Sequence, residues 1–174
     1  MLRPILIHPD PRLKKTCAPV REIDGALKTL ADDMFETMYN APGIGLAAPQ
    51  IGVDARLVVM DCAGKEEGEA PDPVCLINPE IVASSEEQLT WNEGCLSLPE
   101  IYADVSRPKE VEVRYLTPEG EEETRVFSEV RAICVQHEID HLNGKLFIDY
   151  LGPMRRQLIT QKMKKLKRER AREG

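Results

Sequence analysis

Hydrophobic and polar positions repeat with a helical period in some segments of the chain and alternate in others. Apolar residues recur at near-helical spacing over residues 24–40, which predicts an amphipathic helix. A second helix is predicted from about Ser128 to Asn143, with Gly144 placed to end it. A third is predicted after Gly152-Pro153, because proline is favoured in the first turn of a helix. The chain therefore contains at least three candidate helices.

Strand-like patterns occupy the region between the first two predicted helices. Val111–Tyr115 alternates strictly, and a turn at Thr117–Gly120 leads into a second alternating run that ends near Phe127. This pattern predicts a β-hairpin. Two further strands are predicted, separated by a charged insert from Gly64 to Pro73: Arg56–Asp61 and Val74–Pro79. The second is expected to stop at its proline, which cannot donate a ladder hydrogen bond.

The order of elements is helix, several strands, helix, helix, which is typical of an α+β fold and not of alternating βαβ units. No internal repeat or linker divides the chain, so residues 1–174 are expected to form a single domain. Hydrophobic residues make up 42% of the chain and charged residues 30%, a balance typical of globular proteins. No apolar run approaches the length of a membrane span.

Cysteine usage and the first residues bear on the cellular compartment. The five cysteines are an odd number with scattered spacing and no Cys-x-x-Cys pair, which argues against a disulfide framework. The start of the chain lacks the apolar core of a signal peptide. We therefore expect a cytoplasmic protein.

Charge is distributed unevenly. Residues 154–174 contain nine of the 23 Lys/Arg and two of the 30 Asp/Glu, a net charge of +7, whereas the rest of the chain has −14. This basic C-terminal helix is expected either to contact an anionic partner or to be a solvated helix whose cations favour its own C-terminal dipole.

The pentapeptide His137-Glu138-Ile139-Asp140-His141 contains two of the three histidines of the chain. Residues at i and i+4 share one face of a helix, so both imidazoles can bind one divalent metal ion. Glu138 would lie beside the ion, where it can accept and donate protons. The motif alone is short, and a third ligand is needed to support it.

Several residues are candidates for the third ligand. A metzincin protease would have a histidine at the position of Phe147, so that class is excluded. Cys134 and His141 are seven residues apart, about 10 Å along a helix, so one ion could not be bound by Cys134, His137 and His141 without strain. Cys134 is therefore expected to be a buried wall residue. Cys95, between Gly94 and Leu96, remains open as a ligand or a packing residue.

Three segments together resemble the signature motifs of peptide deformylases. They are Gly43-Ile44-Gly45-Leu46-Ala47-Ala48-Pro49-Gln50, Glu93-Gly94-Cys95-Leu96-Ser97 and Gln136-His137-Glu138-Ile139-Asp140-His141. They occur in the order and with the separations that are typical of the bacterial enzymes. The resemblance implies an α+β fold in which antiparallel or mixed sheets pack around a central helix carrying the metal motif, followed by a C-terminal helix. It also implies removal of the formyl group from N-formylmethionine on nascent polypeptides, with release of formate.

The resemblance implies a role for each motif residue. Cys95, His137 and His141 would bind the metal, and Glu138 would act as general base and then acid. The Gln50 amide and the Leu96 backbone N–H would stabilise the oxyanion. The residues expected to contact the substrate are Gly43, Ile44, Gly45, Gly94, Ile133 and Cys134. Asp140 is expected to orient a neighbouring group, with Arg107 as a candidate partner.

The same resemblance implies the cofactor and partners. One divalent ion is expected, iron(II) in the cell, with zinc, nickel or cobalt able to replace it. The basic helix is expected to contact the ribosome, and deletion of residues 155–174 is expected to leave hydrolysis of short peptides intact. Gly43-Ile44-Gly45-Leu46-Ala47-Ala48 also matches a relaxed dinucleotide-binding pattern, but it is preceded by a helix and interrupted by Pro49, so no nucleotide cofactor is expected.

Two other functions remain as alternatives from the residues alone. A metalloprotease would cleave an internal peptide bond of an N-blocked peptide. A structural zinc module with a nucleic-acid-binding tail would need a fourth Cys or His near Cys95, and none is adjacent in the sequence.

Overall fold

The computed structural model describes residues 1–63 and 69–173 of the chain. Its α-helices are α1 (Gly25–Asn40), α2 (Val130–Leu142) and α3 (Pro153–Glu173). Its strands are β1 (Gly45–Ala47), β2 (Leu57–Met60), β3 (Val74–Ser84), β4 (Gln88–Cys95), β5 (Leu98–Pro108), β6 (Glu110–Leu116) and β7 (Glu122–Ser128). Three short 3₁₀ helices span Pro11–Lys14, Ala48–Ile51 and Phe147–Tyr150. Residues 64–68 of the predicted charged insert lie outside the described residues.

The three predicted helices are confirmed, and local chemistry explains where they begin and end. α1 begins after Asp24, whose carboxylate accepts a hydrogen bond from the Leu27 backbone N–H at 2.9 Å. α2 is followed by Gly144, which has a φ of 74°, a conformation that glycine adopts without a Cβ penalty. α3 starts at Pro153, as predicted.

The hairpin of β6 and β7 is confirmed, but the prediction that a strand ends at Pro79 is wrong. β3 continues to Ser84, and its register against β6 shifts between Ile77 and Glu80. Asn78, just before the proline, has a φ of 51°. Its side chain exchanges hydrogen bonds with the backbone of Val20 at 2.8 and 2.9 Å. The bulge places the proline where the ladder is already interrupted, so the strand can continue.

Strand pairing in the described residues gives a five-stranded antiparallel sheet, in the order β1-β2-β3-β6-β7, and a separate antiparallel hairpin of β4 and β5. α2 contacts strands of both sheets. Ten of its thirteen residues are buried, including both histidines, so this helix forms part of the core. The α+β architecture, with antiparallel sheets and three α-helices of which the last is C-terminal, agrees with the expectation.

The β4–β5 hairpin was not predicted from the sequence. On β5, residues 101, 103 and 105 are buried, and the intervening residues are exposed. The buried face packs against α3, which contributes Ile159 and Met163 to the same apolar cluster. Cys95 ends β4 at the tip of this hairpin.

No helix within residues 1–63 and 69–173 is long and apolar enough to cross a membrane.

Candidate metal centre and active site

His137 and His141 lie one turn apart on the same face of α2. His137 is 8% exposed and His141 is completely buried, and their ring centroids are 5.1 Å apart. Burial and the nearby His137 lower the pKa of His141 well below its usual value, so its imidazole is neutral. Neutral imidazole is the form that binds a metal ion.

Cys95 approaches the two histidines from the hairpin. Its Sγ lies 3.4 Å from His141 Nε2. One ligand atom from each of Cys95, His137 and His141 lies within 4.8 Å of the other two. Cys134 is not part of this group; its Sγ contacts the Ile44 carbonyl oxygen at 3.6 Å. The three candidate ligands therefore converge from α2 and β4, and Cys134 is directed elsewhere.

A buried ion pair orients His137. Its Nδ1 lies 2.9 Å from Glu93 Oε1, and Arg107 donates to both carboxylate oxygens of Glu93 at 2.7 and 3.0 Å. Burial alone would raise the pKa of Glu93, but its hydrogen bonds with His137 and Arg107 lower it below the usual value. A carboxylate at Nδ1 leaves Nε2 free to face a ligand position.

Arg107 also connects this ion pair to α2. Its Nη1 donates to Asp140 Oδ2 at 2.8 Å, so the candidate partner of Asp140 predicted from the sequence does contact it. The Arg107 side chain is 4% exposed. One guanidinium therefore joins β5, β4 and α2 beside the candidate ligands.

Glu138 is buried in a narrow space. A Cβ built on Gly45 would lie 3.0 Å from Glu138 Cγ and 2.9 Å from Cys134 Sγ. Burial raises the pKa of Glu138 to about 7. Its Oε2 has no hydrogen-bond partner among the described residues. A carboxylate with a pKa near neutrality and one free oxygen has the properties of a general acid–base group.

Both the oxygen and the nitrogen of the Gln50 side-chain amide form hydrogen bonds. Its Oε1 accepts a hydrogen bond from the Ala47 N–H at 2.9 Å. This contact fixes the direction of Nε2, which donates to Ser97 Oγ at 3.1 Å and approaches Cys95 Sγ at 3.5 Å. The side chain is nearly completely buried, so a donor is preorganised beside the hairpin tip.

A cavity of about 680 Å³ joins these groups. It is within the range of small-ligand pockets. The residues predicted from the sequence that line it are Gly43, Ile44, Gly45, Gln50, Gly94, Cys95, Leu96, Ile133, Cys134, His137 and Glu138. His141 is completely buried and is not among the residues that line the cavity. The three sequence motifs, separated along the chain, thus converge at one cavity.

Comparison with known proteins agrees with this arrangement. The family described as polypeptide deformylase matches residues 2–157 of the chain. The chain belongs to this family. A curated peptide deformylase of Rhizobium meliloti (strain 1021) is 48% identical over 169 residues, which cover 97% of this chain and 96% of that protein.

Solved deformylase structures share the whole fold. A peptide deformylase from Legionella pneumophila is 45% identical, with a TM-score of 0.89 over 99% of both chains. One from Ehrlichia chaffeensis, in complex with actinonin, is 41% identical, with a TM-score of 0.91 over 96% of this chain and 98% of that one. The chain is therefore a peptide deformylase by family, a metal-dependent hydrolase that removes the N-formyl group from nascent peptides.

Some residues around this deformylase site were not predicted. In the sequence Glu93 is only a polar neighbour of Cys95, and Phe147 only excludes a third histidine. Phe147 stacks on His137, with ring centroids 6.0 Å apart. Trp91 and Tyr102 line the cavity although they are 43% and 62% exposed. Trp91 and Tyr102 flank the Glu93–Ser97 motif in the sequence, but only the pairing of β4 with β5 places both beside the cavity.

The close packing at Gly45 generates a prediction. Gly45→Ala should lower kcat/KM for a formyl-Met peptide about 10- to 100-fold, because the new methyl group displaces Glu138 or Cys134 by a fraction of an ångström to about 1 Å. Formate release measures the effect. Gly25→Ala is the matched control, since a Cβ there meets nothing within 4 Å. A kcat/KM of Gly45→Ala within twofold of the wild type would contradict the prediction.

Proposed function

We propose that Cys95, His137 and His141 hold the divalent metal ion of this deformylase. The observation that carries the proposal is the approach of one thiol and two imidazoles, from two separate elements, to within 4.8 Å of one another. Three protein ligands leave one position of a tetrahedral site open for catalysis. When bound, the ion activates a water molecule and polarises the formyl oxygen. A structural zinc module would instead require a fourth protein ligand, and no other His, Cys, Asp or Glu of the described residues joins this group.

Glu138 is proposed to move the protons of the reaction. It would accept a proton from the attacking water and then donate it to the amine that leaves when the formyl C–N bond breaks. Its burial, its free Oε2 and its pKa of about 7 support both steps, because a group that titrates near neutrality both accepts and releases a proton readily. The products would be formate and a peptide with a free amino terminus.

The Gln50 amide and the Leu96 backbone N–H are proposed to stabilise the oxyanion formed on the formyl group. Gln50 Nε2 is held close to Cys95 by the Ala47 contact of its Oε1. Leu96 comes directly after Cys95 in the turn between β4 and β5. Donors that are fixed before the reaction require no reorganisation, and removal of one such donor typically costs about 2.7–4 kcal/mol of barrier.

The substrate peptide is proposed to lie along β1. This strand is at the edge of the five-stranded sheet, and its first residue Gly45, with the preceding Gly43 and Ile44, lines the cavity. Pairing with a sheet edge uses main-chain hydrogen bonds and therefore accepts many peptide sequences. Gly94 also lines the cavity, and the lining residues Ile133 and Cys134 are proposed as apolar walls for the methionine side chain.

We further propose iron(II) as the ion used in the cell, with zinc, nickel and cobalt as substitutes. A Cys/His/His set binds all four, because thiolate and imidazole are suitable ligands for each. Elemental analysis after anaerobic purification, paired with a formate-release assay for each reloaded metal, tests this assignment. Highest activity with zinc and no iron in the purified enzyme would exclude it.

Cys95→Ser tests the ligand set. We expect it to lose its metal, because a neutral hydroxyl is a far poorer ligand than a thiolate. Cys134→Ser should keep about one ion per chain, since Cys134 Sγ is directed to the Ile44 carbonyl group. The half-buried Cys75, in another apolar cluster, provides the control variant Cys75→Ser. Metal loss from Cys134→Ser with full retention by Cys95→Ser would reverse the assignment.

Glu138→Gln tests the proton carrier without removing bulk from a buried position. We expect kcat to fall about 10²- to 10⁴-fold while metal content is unchanged, because the ligands remain and the acid–base group is lost. Glu86→Gln, at an exposed position between β3 and β4, controls for the change in net charge. Near-normal turnover by Glu138→Gln would refute the role.

The metalloprotease alternative is tested on the wild-type enzyme. Cleavage of an N-blocked peptide at an internal bond would favour that alternative.

The proposed setting is the cytoplasm, with the basic helix α3 contacting the ribosome and the chain acting as a single catalytic domain. No Lys or Arg of α3 forms an ion pair with a described carboxylate, so its cations are available to an anionic partner. Deletion of residues 155–174 is not a clean test, because Ile159 and Met163 belong to the core cluster that supports the hairpin.

Charge reversal on the exposed face of α3 is a cleaner test of ribosome contact. The test variant carries Lys162→Glu, Lys165→Glu and Arg168→Glu. The control carries the same charge change at exposed positions outside α3, as Lys15→Glu, Arg21→Glu and Lys28→Glu. We expect co-sedimentation with ribosomes to weaken about tenfold or more in the test variant only, because contacts with RNA phosphates are electrostatic. Equal sedimentation of both variants, with activity on short peptides unchanged, would exclude the contact.

A further inference from the structure

The 3₁₀ helix Phe147–Tyr150 contacts the surroundings of His137 at both of its ends. Phe147 stacks on the His137 ring with an interplanar angle of 25°. Tyr150, at the other end, donates its phenolic O–H to Asp140 Oδ2 at 2.7 Å. The proposed reaction gives no role to Tyr150, which is half exposed and does not line the cavity.

Tyr150 shares its acceptor with Arg107. Both the phenol and Arg107 Nη1 donate to Asp140 Oδ2, at 2.7 and 2.8 Å. The Tyr150 ring also lies against the guanidinium, with Arg107 Cζ 4.9 Å from the ring centroid. The phenol therefore fixes both the carboxylate that holds one end of the guanidinium and one face of the guanidinium itself.

From Arg107 the hydrogen bonds continue to the candidate metal ligand without a gap. The guanidinium donates to both oxygens of Glu93, and Glu93 Oε1 is also 2.9 Å from His137 Nδ1. All links lie between 2.7 and 3.0 Å, and Glu93 and Arg107 are 4% exposed. Groups held in such a buried series have little freedom to move independently.

We propose that Tyr150 is a positioning residue for His137: through Asp140, Arg107 and Glu93 it holds the imidazole in the orientation that binds the metal ion. The inference rests on the proposed ligand set. Loss of the phenolic O–H leaves Asp140 and the guanidinium with one restraint fewer, and this freedom reaches the His137 ring through Glu93. The effect is on retention of the ion, because partners of metal-binding histidines typically change metal affinity.

The chain contains a matched control for the loss of this hydroxyl. Tyr39 is also 50% exposed, and its O–H donates to the Asp61 carboxylate at 2.6 Å. It is on α1 and does not line the cavity. Tyr39→Phe and Tyr150→Phe thus remove the same kind of hydrogen bond at equal exposure, and only the second is connected to His137.

The test measures release of Zn²⁺ from the zinc-loaded enzyme to an excess of a chromophoric chelator. Tyr150→Phe should release Zn²⁺ about two- to tenfold faster than the wild type, the range that one partly exposed hydrogen bond supplies. Its KM for a formyl-Met peptide should be unchanged. Tyr39→Phe should match the wild type. Release by Tyr150→Phe at the wild-type rate, or equal acceleration in both variants, overturns the proposal.

A double-mutant cycle tests the route through Glu93. Glu93→Gln alone should accelerate release about 10- to 100-fold. Adding Tyr150→Phe to Glu93→Gln should give no further acceleration if both act through one series of contacts, whereas full additivity overturns the proposed route. If Cys95→Ser holds Zn²⁺ as firmly as the wild type does, the proposed ligand set and this inference are both overturned. If Cys95→Ser loses Zn²⁺ but Tyr150→Phe releases it at the wild-type rate, only the inference about Tyr150 is overturned.

Discussion

The site depends on one buried cation. Arg107 is almost inaccessible to water, so its charge must be compensated inside the protein, and two carboxylates from different elements do this. Glu93 is two residues before Cys95 on β4, and Asp140 lies one residue before His141 on α2. The geometry of the ion pairs therefore limits where the hairpin tip can lie relative to the histidines. Removal of the guanidinium would leave buried Glu93 without its cation, a loss of about 3–5 kcal/mol for pairs of this kind.

Close approach of backbone to side chain is the second constraint. Gly45 allows β1 to lie against Glu138 and Cys134, where a Cβ would come within 3.1 Å of both side chains. Gly94 has an equivalent role on the hairpin, because a Cβ there would lie 2.6 Å from the Tyr102 ring. Tyr102 covers the surface that the glycine leaves open. Both glycines thus act through the absence of a side chain, and neither has a positive φ.

The part of the site that sequence alone predicts is the part that depends on short-range geometry. Helical spacing identifies His137, Glu138 and His141, and helix rise argues against Cys134 as a ligand, which agrees with its direction away from them. Local chemistry leaves Cys95 undecided, and its assignment comes from the family resemblance. The partners of these residues are distant in the sequence, since Glu93 and His137 are 44 positions apart and Arg107 and Asp140 are 33 apart. No local pattern encodes such pairs.

The dependence on residues distant in the sequence also explains where the prediction of the fold was wrong or incomplete. The helices and the β6–β7 hairpin are predicted by periodicity and turn residues, which are local signals. β3 passes Pro79 because Asn78 bonds to Val20, 58 residues away, and stabilises a bulge. The alternation of β5 is present in the sequence, but its buried positions include the small Ala103 and the charged Arg107, so the pattern does not look apolar. Ala103 is buried in the cluster that contains residues of α3, and Arg107 is buried as the ion-pair partner of Glu93.

The distribution of unsatisfied polar atoms argues that this polar interior is kept for function. Within residues 1–63 and 69–173, three buried side-chain atoms have no hydrogen-bond partner, and two of them, Glu138 Oε2 and His141 Nδ1, are in this site. Each such atom costs about 1–3 kcal/mol of stability, and apolar residues would fill the same space at a lower cost in free energy. By contrast, every side-chain nitrogen and oxygen of Glu93 and Arg107 beside them has a hydrogen-bond partner. The fold thus secures the groups that orient His137 and leaves free an oxygen of Glu138, the group proposed to exchange protons.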